Sequence, residues 1–251
     1  MFSVSGHKDL ILACHITGIY DVNRRTTLEG NDYELVRDWA ESIAAQNLRG
    51  IIFHNNFTEE SCAKHQNEHI SFVKIAYNPQ FNPNVFRYLI YRDFLRAHST
   101  AIEHVFVTDV ADVVVLNNPF VQALFRNHPE AIFCGDEPKS LDDGWMHDHS
   151  EHLRSKIADY ANFEQRFLDA PMLNCGIIGG HIQVMQEFIE QLAQIHEQYN
   201  HDNQTAYTGD MGAFNYLMRT QFNERVIHGE PCNTVFKAYE LDRRDCWFRH
   251  K

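Results

Sequence analysis

Short apolar runs alternate with polar or amphipathic stretches along the first half of the chain. Asp9–Ile16 (DLILACHI) reads as a buried strand. The polar stretch Thr17–Asp32 follows, and Asn31 stands three residues before Glu34 in a capping-box arrangement. Leu35, Val36, Trp39 and Ile43 then recur at helical spacing. Gly50–His54 predicts a second strand and Ile70–Ala76 a third, with a short polar helix from Thr58 between them. The Pro- and Asn-rich link Tyr77–Asn84 is a loop. It feeds a helix with Phe86, Leu89, Ile90 and Phe94 on one face. In His104–Leu116 (HVFVTDVADVVVL), two β-branched runs flank a pair of aspartates.

Pro119 starts a short helix, and Ala131–Cys134 predicts another strand. The polar span Asp136–Ala170 carries few periodic signals and is expected to be a long loop or a helical excursion. Leu173–Gly180 (LNCGIIGG) predicts a strand ending in two glycines. His181–Tyr199 is a clear amphipathic helix, Gly209–Phe222 a last helix and Arg225–His228 a final strand. Strands alternating with helices are the signature of a largely parallel sheet with helices on both faces. The fold class is therefore α/β, read as a single domain over residues 1–251.

Composition narrows the function. With 22 Lys+Arg against 34 Asp+Glu, the formal charge is −12, which argues against nucleic-acid binding. No apolar run approaches the ~20 residues that span a bilayer, and the N-terminus lacks a signal-peptide pattern. The expectation is a cytoplasmic protein. The six cysteines form no C-x-x-C pair and are read as reduced and mostly buried.

The segment with most chemistry is Asp109-Val-Ala-Asp112, where a buried strand delivers two carboxylates as its backbone leaves the sheet. Ligands of open parallel sheets bind beyond the carboxyl ends of the strands. Two carboxylates there can hold a hard divalent cation, which can neutralise a diphosphate. Positions three apart face opposite ways in an extended strand. Asp109 and Asp112 converge on one ion only where Val110-Ala111 turns the backbone; otherwise one of them serves alone.

Thr108-Asp109-Val-Ala-Asp112-Val113, followed by Asn118-Pro119-Phe120, resembles the metal-binding strand of the GT-A glycosyltransferases. The likeness is to a bacterial and viral subgroup with a Thr-Asp-x-x-Asp-Val motif in place of the commoner D-x-D. Leu173–Gly180, Gly209-Asp210-Met211-Gly212-Ala213-Phe214-Asn215 and His228-Gly229-Glu230-Pro231 are similar to further family segments in the same order. Met211 stands where that family has Gln. The resemblance implies a GT-A fold and transfer of a sugar from a nucleoside-diphosphate donor to a glycan or lipid-linked saccharide, assisted by Mn²⁺ or Mg²⁺.

It also implies roles. His15, Ile16, Thr17 and Gly18 end the first strand, where the family places the nucleotide base. Arg24 or Arg25 could meet the diphosphate, since guanidinium forks suit phosphate oxygens. Arg87 is the better nucleotide-side candidate of its helix, while Arg92 is open to pairing with a nearby carboxylate. Asn174 and Gly176 would let backbone approach a sugar. Asp109 and Asp112 would hold the metal, with His228 as third ligand. Asp210 and Asp136 are both open as the catalytic base for the acceptor hydroxyl.

Two features stand outside that set. His147, His149 and His152 match no metal-binding spacing and are expected on a mobile loop. The basic and aromatic tail Arg243–Lys251 either packs on the domain or makes peripheral contact with the inner face of a membrane. Two other functions remain open: a non-catalytic nucleotide-sugar or carbohydrate-binding domain, and a sugar-1-phosphate nucleotidyltransferase. The latter wants a Gly-rich phosphate loop that Ala13–Gly18 does not supply.

Overall fold

The computed structural model describes residues 8–21, 26–201 and 209–251, and in it the apolar runs become sheet strands. The order begins β1 (Asp9–His15), β2 (Tyr20–Asp21), β3 (Thr26–Thr27), α1 (Glu34–Ala45), β4 (Gly50–His54), α2 (Glu59–His65) and β5 (Ile70–Lys74). Next come α3 (Pro83–His98), β6 (His104–Thr108), β7 (Val113–Val115) and α4 (Ala123–Arg126). The second half runs β8 (Ile132–Ser140), α5 (Gly144–Arg154), α6 (Tyr160–Arg166), β9 (Pro171–His181) and α7 (Ile182–Tyr199). It closes with α8 (Asp210–Gln221), β10 (Val226–His228) and β11 (Phe248–His250).

Seven strands form one sheet in the order β10-β8-β9-β6-β1-β4-β5. All neighbours are parallel except β9, which runs antiparallel to both β6 and β8. Successive residues point to opposite faces, so both faces of the central strands need cover. Leu10, Leu12, Val105 and Val107 face a layer containing Tyr88 and Tyr91 of α3 and Phe188 and Leu192 of α7. Ile11, Ala13 and Phe106 face Val36, Trp39 and Ile43 of α1. Trp39 is fully buried, and its indole N–H donates to Thr108 Oγ1 at 2.8 Å, so its polar atom is satisfied in the core.

Two local expectations are corrected and one open alternative is decided. Asn31 does not cap α1: its side chain accepts from Thr58 N at the start of α2, and Asp32 Oδ1 takes the Glu34 N–H. Of the loop and the helical excursion expected after Asp136, the helical excursion is found, as α5 and α6. β8 continues to Ser140, and Asp143 then caps α5 by accepting from Trp145 N at 3.0 Å. The histidines expected on a mobile loop lie on α5, whose Met146, His149, Ser150 and Leu153 are buried.

The C-terminal tail packs on the domain. β11 pairs antiparallel with β7, placing His250 opposite Val113, and Lys251 N donates to Asp112 O at 2.9 Å. No helix among the described residues is long and apolar enough to cross a membrane.

Candidate active site

β6 ends at Thr108, and the backbone bends through residues 110–112 before β7 begins. That bend is the turn the D-x-x-D spacing requires. It brings Asp109 and Asp112 to the same side, where β11 lays His250 beside them. One ligand atom from each of Asp109, Asp112 and His250 lies within 4.8 Å of the others. His250 Nε2 stands 3.8 Å from Asp109 Oδ2 and 3.9 Å from Asp112 Oδ1. These separations are too long for hydrogen bonds, and they suit donors ranged around one ion with bonds of about 2.0–2.4 Å.

The donor set fits a divalent cation. Two carboxylates and one imidazole suit Mn²⁺ better than Mg²⁺, which prefers oxygen ligands throughout. His250 is 2% exposed, and its Nδ1 has no hydrogen-bond partner among the described residues. Burial pushes its pKa down, against the pull of Asp109 and Glu137, so the ring is held in the neutral form a metal requires. Its ring packs edge-on against Phe236 with centroids 4.6 Å apart.

A second layer holds this group. Arg87 of α3, buried, pairs with Asp109 Oδ1, leaving Oδ2 turned toward His250. The same guanidinium donates to Tyr88 Oη at 3.1 Å and lies 3.7 Å from Asp210 Oδ2. Burial opposes its charge, but Tyr88, Asp109, Cys175 and Asp210 outweigh it and raise its pKa well above the ordinary value. Asp109 N donates to Gly176 O at 2.8 Å, and Gly176 N donates to Asn174 Oδ1 at 2.7 Å. Position 176 has no room for a side chain. A Cβ there would lie 2.4 Å from His250 Cε1 and 2.7 Å from Asp109 Oδ2.

Asp210 opens α8 after Gly209, whose φ of +63° places it in the left-handed region. Its carboxylate sits beside Arg87 and 3.7 Å from Cys175 Sγ. Burial raises the Cys175 thiol well above its usual pKa, so it stays protonated there. Met211 is buried, and its sulfur accepts from Cys175 N at 3.5 Å.

The remaining expected residues lie apart. His228 does not join Asp109 and Asp112: its Nδ1 is 2.8 Å from Asp136 Oδ2, so this imidazole is engaged by a different carboxylate. His15 stacks on Phe57, and Thr17 is clamped by Asn55, which accepts from Thr17 N at 3.0 Å and donates to Thr17 O at 2.9 Å. Gly18 follows with φ +78°. Arg24 and Arg25 lie outside the described residues. Arg92 pairs with Glu197 and Asp93. His147, His149 and His152 face separate partners: Asp142, Trp145 O and Asn200.

Sequence reasoning missed His250. The residue belongs to a three-residue strand at the far end of the chain, and nothing in its spacing links it to Asp109. The available signal was Val113–Leu116, a β-branched run too short to stand without a partner strand.

The mostly parallel sheet flanked by helices, with β9 reversed, is consistent with the GT-A fold. Among solved structures, the galactosyltransferase LgtC in complex with donor and acceptor sugar analogs aligns with it at a TM-score of 0.51. That alignment covers 96% of this chain and 86% of the other, at 14% sequence identity. No known family's sequence pattern matches the chain, and no curated protein matches it.

Proposed function

We propose that the chain, as one domain over residues 1–251, is a metal-dependent glycosyltransferase. It would move a sugar from a nucleoside-diphosphate donor to a hydroxyl of a glycan or lipid-linked saccharide. The observation that carries this reading is the convergence of Asp109, Asp112 and His250 at the end of β6. The fold shared with LgtC supports it.

In this reading Asp109, Asp112 and His250 hold Mn²⁺ or Mg²⁺, which when bound stabilises charge on the departing diphosphate. Arg87 fixes Asp109 so that one oxygen faces the ion position. His15, Thr17 and Gly18, at the end of β1, receive the nucleotide, with Asn55 locking the backbone of Thr17. Asn174 and Gly176 form the floor beneath the sugar. Asp210, on the Arg87 side, binds sugar hydroxyls. Asp136, hydrogen-bonded to His228, takes the acceptor's proton as its oxygen bonds to the sugar's anomeric carbon and the bond to the diphosphate breaks.

The test is thermal unfolding against a panel of nucleoside diphosphates and nucleotide sugars, with and without Mn²⁺. A ligand that binds only the folded state stabilises it by about 2.7 kcal/mol at a hundredfold excess over Kd. The reading expects one nucleotide to raise the midpoint only with metal present. No shift across the panel would overturn it.

A further inference from the structure

The two ends of the Arg87 guanidinium are held differently. Nη1 donates to Asp109 Oδ1, in the metal-ligand group. Nη2 donates to Tyr88 Oη at 3.1 Å, meets Cys175 Sγ at 3.4 Å and lies 3.7 Å from Asp210 Oδ2. The phenol is therefore closer to Nη2 than the second carboxylate is.

Charge alone would give the opposite order. A carboxylate attracts a guanidinium more strongly than a neutral hydroxyl does, and such pairs close to about 2.7–2.9 Å. Burial raises the Tyr88 phenol well above its ordinary pKa, so it meets Arg87 as a neutral acceptor. Helical geometry does not supply the contact either. Arg87 and Tyr88 are successive residues of α3, about 100° apart around the axis, and successive side chains do not face each other. The bond forms because Arg87 curls back until its Cζ lies 5.0 Å from the Tyr88 ring centroid.

The ring that receives it is fixed from several sides. Tyr88 is fully buried, stacks on His196 of α7 with centroids 5.3 Å apart, and meets the edge of Tyr91 at 6.2 Å. His196 is fixed in turn by Asn200, the residue that ends α7, whose Nδ2 donates to its Nδ1 at 2.8 Å. Asn200 Oδ1 accepts from His152 Nε2 of α5. A buried polar column thus runs from α5 through the end of α7 to Tyr88, and it ends on Arg87.

We infer that Tyr88 is a positioning residue for the site: its hydroxyl holds Arg87 Nη2 short of Asp210, so that one guanidinium stays on Asp109 without closing a tight ion pair with Asp210. Without that hydroxyl the guanidinium pivots about its Asp109 contact toward Asp210, turning the Asp109 carboxylate as it goes. The inference rests on the metal-dependent reading for the roles of Asp109 and Asp210; the anchoring of Arg87 by Tyr88 stands on the contacts alone.

The test removes the hydroxyl alone, as Tyr88→Phe in the full chain, and compares it with Tyr160→Phe. Tyr160 is equally buried, but its hydroxyl donates to Ser150 Oγ at 2.9 Å and Gly212 O at 3.2 Å. Each variant loses a buried hydrogen bond, so each should melt about 2–5 °C lower. Only Tyr88→Phe should weaken Mn²⁺, raising its Kd about three- to tenfold by isothermal titration. That is less than the roughly 10–100-fold expected when a residue touching a metal ligand is lost. A second readout needs no metal: the crystal structure of Tyr88→Phe should show Nη2 closing on Asp210 Oδ2 to about 2.7–2.9 Å. An unchanged Mn²⁺ Kd in Tyr88→Phe, or an equal rise in Tyr160→Phe, overturns the inference, as does an Arg87 that has not moved. A wild-type chain that binds no Mn²⁺ overturns the metal reading instead, while the position of Arg87 still decides the anchoring.

Discussion

Histidine meets carboxylate at two places near the ends of these strands, and the two are built differently. His228 and Asp136 close a hydrogen bond of 2.8 Å, which engages both groups with each other. His250, Asp109 and Asp112 stop short of one another, at 3.8 and 3.9 Å from imidazole to the two carboxylates. The first arrangement is self-contained and partly open to solvent. The second buries an imidazole, whose Nδ1 has no hydrogen-bond partner among the described residues, beside two carboxylates. Two carboxylates and an imidazole thus converge without bonding one another, the donor types that a divalent cation takes.

The comparison breaks most severely if Asp112 is dispensable. Removing a carboxylate that helps a cation carry diphosphate charge forfeits several kcal/mol of transition-state stabilisation. At 1.36 kcal/mol per decade, Asp112→Ala is expected to lower transfer about a thousandfold. Its far-UV circular dichroism should be unchanged, because Asp112 is only partly buried and lies in the bend between β6 and β7. Full activity in this variant would remove the metal from the reaction.

Next in size is the contrast between the two histidines. Loss of a residue merely supporting a metal ligand costs about 10–100-fold in affinity, so loss of a direct ligand costs no less. His250→Ala should therefore weaken Mn²⁺ binding at least about tenfold, as read by isothermal titration. His228→Ala should leave that Kd unchanged and lower the transfer rate, since the Asp136 carboxylate loses its partner. Equal effects of the two variants on Mn²⁺ affinity would erase the distinction between them.

Two glycines sharpen the same point at smaller scale. A methyl at position 176 would overlap His250, Asp109 and Asn174, whereas at Gly144, the first residue of α5, a Cβ meets nothing within 4 Å. Overpacking of this kind costs about 1–3 kcal/mol. Gly176→Ala should lower both the melting temperature and Mn²⁺ affinity. Gly144→Ala should be neutral or stabilising by a few tenths of a kcal/mol to about 1, through the unfolded chain. Equal melting temperatures for the two variants would show that the close approach at Gly176 carries no cost.

The contrast also marks what the chain makes legible before folding. β1, β4 and β6 are apolar runs buried on both faces, and α7 repeats its apolar residues at helical spacing, so pattern alone places them. Asp109 and Asp112 are legible as a pair because they interrupt a β-branched run. His250 is not, because its partner strand β7 lies more than a hundred residues away in sequence. With sixteen histidines in the chain, local pattern has no means of choosing between His228 and His250. Asn31 shows the same limit at short range. Its spacing to Glu34 suits a cap, but the Thr58 N–H, brought close by the fold, takes the side chain instead. Polar residues with several feasible partners are decided by tertiary structure, whereas apolar periodicity is decided locally.

A third histidine, whose Nε2 is also buried without a hydrogen-bond partner among the described residues, provides the gentlest test of the idea that neighbouring carboxylates, and not burial alone, mark a ligand histidine. His196 of α7 is fully buried, accepts at Nδ1 from Asn200 Nδ2 at 2.8 Å and stacks on Tyr88 with ring centroids 5.3 Å apart. Burial lowers its pKa to about 3, so the folded protein keeps it neutral while the unfolded chain protonates it near 6.5. Between those values the unfolded state binds more protons, so stability falls as pH drops from about 6.5 toward 3 and is fully present above 6.5. His196→Gln keeps an acceptor for Asn200 and removes the titration. Its urea midpoint should be slightly below wild type at pH 7 and should change less on going to pH 4.5. Parallel midpoint curves for the two proteins would mean that His196 is not held neutral in the core, and the line between structural and ligand histidines would have to be drawn elsewhere.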